Sequence, residues 1–284
     1  MVAARLPAWT ATPSIVLIIL PPSETKLPPP EGGFPLDLDR LSFPSLTAMR
    51  ERVMGALVET SRRPDALRRL SVKPSLADEV ARNEHLRDLP TRRAVDTYAG
   101  PLYEGLHAGS WSSHAEKRAA RQLVIVSALW GALRPADPIP PYRLSVHARL
   151  DGMDRLDSAW RALLPPILTD AAAQRGPILD LRSRVYQAVG RPTALDEQTV
   201  TLRIRPSAGG PAHIGDVIAK RVRGAAASHL LSSEADPEEP LDIADVFATR
   251  WSLEVDPPAG QNRTWTIVLS PPRETAGSAL GPAA

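Results

Sequence analysis

Four polar clusters combine residue types that can bind an anion or move a proton. They are Ser23-Glu24-Thr25-Lys26 and three segments that together contain all four tyrosines of the chain: YAGPLYEGL (98–106), LWGALRPADPIPPYRL (129–144) and LDLRSRVYQAV (179–189). Arginine offers a planar fork of N–H donors and lysine a point charge, so both suit a phosphate or a carboxylate. Each cluster taken singly also fits a structural role, because Pro and Gly shape turns and half-buried tyrosines pack with one satisfied hydroxyl.

These clusters supply candidates for anion binding and for acid/base catalysis. A phosphate, a carboxylate or a nucleic-acid backbone would fit such side chains. Lys26, with Tyr103 or Tyr142, is a candidate general acid/base, provided that burial and nearby arginines lower the pKa. The side chains that we expect to line one pocket are Ser23, Lys26, Tyr103, Arg134, Tyr142, Arg143, Ser183 and Tyr186.

The pattern around the clusters predicts an α/β fold, with α+β as the alternative, built on a single mixed β-sheet surrounded by helices. Short apolar runs predict fully buried strands at 14–20, 123–129 and 177–181, and periodic segments such as 44–63 and 113–122 predict helices between them. Each polar cluster lies in a loop or directly after a predicted strand. Ligands collect at the carboxyl ends of strands in open sheets, so the clusters are placed to form a binding site.

Other segments complete this outline. Residues 92–100 (RRAVDTYAG) predict a strand, and residues 131–146 predict a loop that leads to an edge strand. Residues 199–206 (TVTLRIRP) alternate between apolar and polar side chains, which is typical of an antiparallel strand. A helix is predicted at 212–231 and a last strand at 265–270.

The composition is that of a soluble globular protein, and the length allows one large domain or two small ones. Of 284 residues, 43% are hydrophobic and 23% charged, and the absence of cysteine excludes disulfides, thiolate metal sites and a cysteine nucleophile. The longest apolar run has six residues, far short of the roughly 20 that span a bilayer. We expect a cytoplasmic protein without a signal peptide or a membrane partner, with a single domain at 14–271 and disordered segments at 1–13 and 272–284.

Charge is segregated along the chain, although the net charge is only +2. Residues 50–93 hold eleven Lys and Arg against seven Asp and Glu, and residues 201–224 hold five against one. A basic face that binds nucleic acid is therefore one reading. No GxGxxG, Walker A or GxSxG motif is present. His107 and His114 lack the spacing of metal ligands, so we predict no metal site and no cofactor.

The order of the motifs resembles the YaaA family of bacterial peroxide-stress proteins. That family opens with a strand and a Pro-Pro-Ser-x-x-Lys loop, matched by LPPSETK, and continues with Gly-x-x-Tyr-x-Gly-Leu, matched by GPLYEGL. A Leu-Tyr-Gly-x-Leu-Arg-Pro-x-Asp…Pro-Tyr-Arg-Leu block is matched by LWGALRPADPIPPYRL. Asn-Leu-Ala-Ser-x-x-Tyr is matched by DLRSRVY, and Lys-x-x-Arg-Gly by KRVRG. The resemblance spans roughly residues 14–230 in order.

The sequence also departs from the family pattern. The hairpin within LRRLSVKPSLADEV, where members resemble a helix-hairpin-helix, has no glycine. The single-residue departures are Trp130 for Tyr, Ser145 and Val146 for Glu-Met, Asp180 for Asn and Val185 for Glu. These changes indicate a divergent branch, of actinobacterial type.

The resemblance implies one elongated α/β body with a basic cleft, and it adds Lys220 and Arg223 to the predicted binding residues. It further implies a cytoplasmic protein that binds duplex or distorted duplex DNA and limits iron-dependent oxidative damage. The residues leave open whether the protein is an enzyme. The alternative is an enzyme that acts on a nucleotide-like or other anionic small molecule in a pocket of the strand-end loops. A structural or partner-binding protein whose site loops have decayed is the third hypothesis.

Overall fold

The computed structural model describes residues 15–172, 175–206 and 214–270. The segments predicted to be disordered, 1–13 and 272–284, lie outside the described residues. Among the helices that are described, none is long and apolar enough to cross a membrane.

A seven-stranded mixed sheet organises the chain, which confirms the predicted α/β class. Its strand order is β4-β3-β1-β6-β7-β9-β8, and every neighbouring pair from β3 to β9 is parallel, while β4 and β8 run antiparallel at the edges. A separate antiparallel ribbon joins β2 to β5. The strands are β1 (Ile15–Leu20), β2 (Arg92–Arg93), β3 (Leu123–Ser127), β4 (Gly131–Leu133), β5 (Pro138–Ile139), β6 (Arg175–Asp180), β7 (Thr199–Ile204), β8 (Ser252–Asp256) and β9 (Trp265–Ser270).

Helices and helical turns follow most strands. They are α1 (Thr47–Ser61), α2 (Ala66–Leu70), α3 (Ala77–Arg82), α4 (Ala94–Thr97), α5 (Pro101–Leu106), α6 (Ser113–Gln122), α7 (Leu156–Arg161), α8 (Leu164–Ala172), α9 (Arg184–Gln187), α10 (Asp216–Ser232) and α11 (Pro240–Ala248). Pro165 and Pro166 lie in the first turn of α8. Backbone N–H groups in this turn have no acceptor within the helix, so proline costs no helical hydrogen bond here. The break between α7 and α8 therefore comes just before the two prolines.

The core surrounds the centre of the sheet. Residues 16–20 of β1 and all of β3 are buried on both faces, as expected for parallel strands covered by helices. The first buried strand and helix 113–122 are confirmed, since α6 has these bounds and begins at a Ser112 side chain that accepts a hydrogen bond from the Ala115 N–H.

Three predicted elements are wrong. Residues 92–100 form only a two-residue strand followed by α4, because the Thr97 hydroxyl donates to the Arg93 carbonyl and closes a helical turn. No edge strand forms near 146, because the side chain of Asn83 pairs with both the N–H and the C=O of Arg143. Strand β7 is parallel to both neighbours; its alternation reflects partial exposure of one face.

Candidate functional site

A cleft of about 620 Å³ lies where the chain leaves the carboxyl ends of β1 and β6. Helices α5 and α10 and the segment 145–147 form its other walls. Six of the ten predicted binding residues line it: Ser23, Tyr103, Ser183, Tyr186, Lys220 and Arg223. The location is the one that open α/β sheets favour for ligands, and the volume falls within the range of small-molecule sites.

The loop after β1 is held in place from two sides. The Tyr103 hydroxyl donates to the Pro21 carbonyl at 2.9 Å, and the Arg143 guanidinium donates to the Glu24 carbonyl at 3.1 Å and to its carboxylate at 2.9 Å. Gly100 has a φ of 105°, and a Cβ there would lie 3.0 Å from the Ser23 hydroxyl oxygen. Because Gly100 has no Cβ, the chain at the start of α5 can approach the loop closely.

The side chain of Lys26, in the same loop, packs against Tyr142 and does not line the cleft. Its Nζ lies 3.9 Å from the centre of the Tyr142 ring and donates to the Glu24 carbonyl at 3.2 Å. Burial of the ammonium group, and then the positive charge of Arg143, lower the pKa of Lys26 to about 7, against the opposing pull of Glu24 and Glu79. The protonation state of Lys26 therefore changes near neutral pH.

The tyrosines form a connected group under the cleft. The Tyr142 hydroxyl is hydrogen-bonded to Ser127 at 2.7 Å and to the Tyr98 hydroxyl at 2.9 Å, and the Tyr98 and Tyr103 ring centres are 5.2 Å apart. Burial raises the pKa of Tyr103 and of Tyr142 well above the usual value. Both phenols are therefore neutral near pH 7 and act as hydrogen-bonding groups, not as bases.

Two glycines bring α5 and α10 into backbone contact. A Cβ on Gly105 would lie 2.0 Å from the Arg221 carbonyl oxygen, and one on Gly224 would lie 1.9 Å from the Leu102 carbonyl oxygen. Only glycine fits at such a crossing. Both glycines belong to the sequence motifs around the cleft, and their contact fixes Lys220 and Arg223 of α10 across from Tyr103 of α5.

The two cations of α10 differ in their surroundings. Lys220 is exposed and pairs with Asp216 one turn earlier, at 2.6 Å. Arg223 is half-buried; burial lowers its pKa, which Asp216 partly offsets, and its guanidinium donates to the Leu202 carbonyl at 3.5 Å. No carboxylate of the described residues forms an ion pair with Arg223. Arg223 therefore lines the cleft without a direct ion pair, and Asp216 is the carboxylate whose charge acts on it.

The end of β6 carries a buried ion pair that the sequence did not assign to the site. The Arg182 guanidinium donates to both carboxylate oxygens of Asp180, at 2.9 and 2.8 Å, and to the Gly190 carbonyl at 2.8 Å. These two side chains are 2% exposed or less. Asp180 is one of the departures from the family pattern, and the Arg182 guanidinium compensates its negative charge. Opposite charges two residues apart after a buried strand are the sequence signal.

The structure places four predicted binding residues outside the cleft wall: Lys26, Arg134, Tyr142 and Arg143. Arg134 donates to the Arg121 carbonyl at 2.7 Å and the Leu123 carbonyl at 3.2 Å, so its guanidinium caps the end of α6. Lys26 belongs to the loop after β1 and packs on the Tyr142 ring, and Arg143 holds Glu24 of the same loop. Residues 15–172, 175–206 and 214–270 contain no group of three His, Asp or Glu side chains arranged to hold a metal ion.

The hairpin between α2 and α3 lacks glycine but keeps a left-handed residue. Ser71 has φ 55° and ψ 45° at the end of α2, and the Val72 N–H donates to the Leu67 carbonyl at 2.9 Å. A serine thus takes the conformation that glycine usually supplies at this position.

Comparisons with known proteins agree with the motif order. The family model described as "Peroxide stress protein YaaA" matches residues 16–254. A UPF0246 protein of Streptomyces coelicolor is 36% identical over 258 residues, which cover 89% of this chain and 97% of the relative. A UPF0246 protein of Corynebacterium efficiens is 36% identical over 256 residues, covering 89% and 100%. A UPF0246 protein of Rickettsia felis is 28% identical over 153 residues, covering 53% and 61%. The chain therefore belongs to the YaaA family of peroxide stress proteins.

Proposed function

We propose that this chain is a cytoplasmic DNA-binding protein of the peroxide stress response, which limits iron-dependent damage, and that the cleft receives part of a distorted duplex. The observation that carries the proposal is Arg223, which forms no ion pair with a described carboxylate, in a cleft that is also lined by Lys220, Tyr103 and Tyr186. Positive side chains bind the phosphate backbone, and aromatic side chains stack on unpaired bases.

The lining of the cleft combines aromatic, apolar, hydroxyl and charged side chains, and its carboxylates are Glu24, Asp180 and Asp216. Tyr103 and Tyr186 offer aromatic rings, and Val146 and Val185 add apolar surface next to them. Ser23, Ser183 and Thr201 supply hydroxyl groups. This mixture suits a nucleotide whose base packs on the rings and whose phosphate faces α10. Distorted duplexes expose such a nucleotide at a lower unstacking cost than intact B-DNA.

Fluorescence anisotropy with a duplex and with the same duplex containing a central bubble tests the proposal. The informative variant is Arg223→Ala, and the matched control is Lys117→Ala, which removes an exposed charge of α6 outside the cleft. We expect tighter binding to the bubble, and a loss of about tenfold for Arg223→Ala against less than about twofold for the control.

Two results would overturn the proposal. One is the absence of binding to either DNA at low salt. The other is an equal loss of affinity in both variants, since this would indicate a diffuse basic surface. Equal near-ultraviolet circular dichroism spectra of the two variants establish that each is folded.

A second candidate function is that of an enzyme acting on a nucleotide-like or other anionic small molecule. The observation that favours it is Lys26, because a lysine with a pKa of about 7 suits general acid/base catalysis at neutral pH. The other two candidates for acid/base catalysis, Tyr103 and Tyr142, are neutral hydrogen-bond donors near pH 7 because burial raises their pKa. Lys26 contacts Tyr142 behind the loop, so the loop must shift before Nζ reaches a substrate in the cleft.

Incubation with a panel of nucleotides and sugar phosphates, followed by chromatography, tests the enzyme hypothesis. Turnover that is lost in Lys26→Met and follows a pKa near 7 in wild type would support it. The absence of product with every compound, alongside intact DNA binding, would favour binding as the sole function.

A further inference from the structure

A second cavity, here called the arginine groove, adjoins the cleft. Its volume is about 990 Å³, and it runs between α8, α9, β7 and the segment before β9. The two cavities share five lining residues: Arg182, Ser183, Thr201, Leu202 and Arg223. A ligand that occupies the cleft can therefore continue into the groove without leaving the protein surface.

Arginine dominates the charge of this groove. The arginines among its described lining residues are Arg161, Arg182, Arg184, Arg191, Arg203 and Arg223, and the same lining includes no Asp or Glu. Carboxylates from outside the lining hold four of the six guanidinium groups: Asp157, Asp180, Asp196 and Asp256. These ion pairs hold Arg161, Arg191 and Arg203 along the groove, whereas the side chain of Arg182 is fully buried.

Arg184 and Arg223 are the two exceptions. Neither forms an ion pair with a described carboxylate, and Arg184 is exposed at the start of α9. The groove thus carries a net positive charge that the carboxylates around it do not neutralise. A guanidinium fork can donate two N–H groups to one phosphate, so arginines spaced along a groove suit a linear chain of phosphates better than a single anion.

The rest of the groove lining differs from that of the cleft. Side chains of Thr193, Thr264, Thr266, Gln187, Gln261 and Asn262 supply hydroxyl and amide groups, and the described lining includes no aromatic residue. The cleft, by contrast, presents Tyr103 and Tyr186. The groove therefore offers donors for phosphates and sugars but no ring on which a base could stack.

We propose that the arginine groove binds the phosphodiester backbone of a single DNA strand whose neighbouring nucleotide occupies the cleft. This inference rests on the proposed DNA binding and specifies its substrate class: a single-stranded or locally unpaired segment, several nucleotides long, held by its backbone without base readout. The cleft takes one nucleotide, and the groove takes the strand that continues from it.

Anisotropy with fluorescein-labelled thymidine oligonucleotides of about two and about eight residues tests the inference. Wild type should bind the longer probe at least about tenfold more tightly. Arg184→Gln should weaken the longer probe about three- to tenfold and lower its salt slope by about 0.7, the value for one lost phosphate contact on a single strand. Its affinity for the short probe should stay unchanged.

The matched control is Arg121→Gln, which removes an exposed arginine of α6 that lies outside both cavities. It should bind both probes like wild type. Arg184→Lys should recover part of the affinity, since it keeps the charge and loses the fork.

The results of this experiment distinguish failure of the groove assignment from failure of the proposed DNA binding. Equal affinity for the two probes, or a longer-probe affinity that Arg184→Gln leaves intact, would overturn the groove assignment while DNA binding by the cleft stands. If neither the oligonucleotides nor the bubble duplex bind at low salt, DNA binding itself fails, and the groove assignment fails with it.

Discussion

Replacing Gly224 by alanine tests how the two helices beside the cleft are held together. The new Cβ would lie 1.9 Å from the Leu102 carbonyl oxygen and 2.6 Å from the Leu106 nitrogen. An ordinary carbon–oxygen contact is about 3.3 Å, so α5 and α10 must separate by about 1 Å or more. The clashing atoms are backbone, and no side chain can rotate away.

The magnitude follows from two opposing effects. Overpacking of this kind costs about 3 kcal/mol or more when the neighbours cannot yield. Alanine in place of glycine within a helix returns up to about 1 kcal/mol. We therefore expect Gly224→Ala to lower the free energy of unfolding by about 2 kcal/mol, and to weaken DNA binding because Arg223 moves away from Tyr103.

Urea denaturation measures the first effect, and Gly55→Ala is its matched control. Gly55 is also inside a helix, α1, but a Cβ there meets nothing within 4 Å. This control should stabilise the protein by about 0.5–1 kcal/mol, through helix propensity alone. If Gly224→Ala were as stable as Gly55→Ala, the close packing of α5 on α10 would be refuted.

Three further predictions concern charged groups around the cleft. The pKa of Lys26 is about 7 in the folded chain, below its ordinary value of 10.5, so the unfolded state binds more protons from pH 7 to 10.5. The stability of wild type relative to Lys26→Met should therefore rise by about 1–2 kcal/mol between pH 7 and 9 in urea titrations, and a constant difference contradicts the burial of the ammonium group. Asp180→Asn should cost about 3–5 kcal/mol because Arg182 is left buried without a carboxylate, and adding Arg182→Ala should recover part of this; a cost below about 1 kcal/mol contradicts the account. Arg143→Gln should speed amide hydrogen exchange around Glu24 by about tenfold, and unchanged exchange would show that other contacts hold the loop.

The parallel centre of the sheet could be predicted because burial on both faces leaves a local pattern. Strand β1 and the strand after α6 are short apolar runs, and any parallel arrangement of them requires helical crossovers. Strand β8 (Ser252–Asp256) was missed, because an exposed edge strand flanked by Pro257 and Pro258 carries little apolar signal. The edge strand predicted to follow the loop at 131–146 does not form, because the Asn83 side chain satisfies the backbone N–H and C=O of Arg143.

The candidate site was predictable only in part. Residues such as Ser23 and Ser183 follow buried strands directly, so strand position alone places them at the cleft. Arg143 is different, because a long side chain can point to the cleft or to Glu24, and its direction depends on tertiary packing. The contact between α5 and α10 also leaves no periodic pattern in the sequence. Gly105 and Gly224 are far apart along the chain, and nothing local to either indicates that they lie at one helix crossing.

The salt dependence of DNA binding, measured for wild type and Arg223→Ala, tests the central claim most directly. Each phosphate contact on duplex DNA contributes about 0.9 to the slope of log affinity against log salt. The account predicts that Arg223→Ala lowers both the affinity and this slope, by about one contact, while Lys117→Ala changes neither. An unchanged slope in Arg223→Ala would contradict the assignment of the cleft as the DNA-binding site.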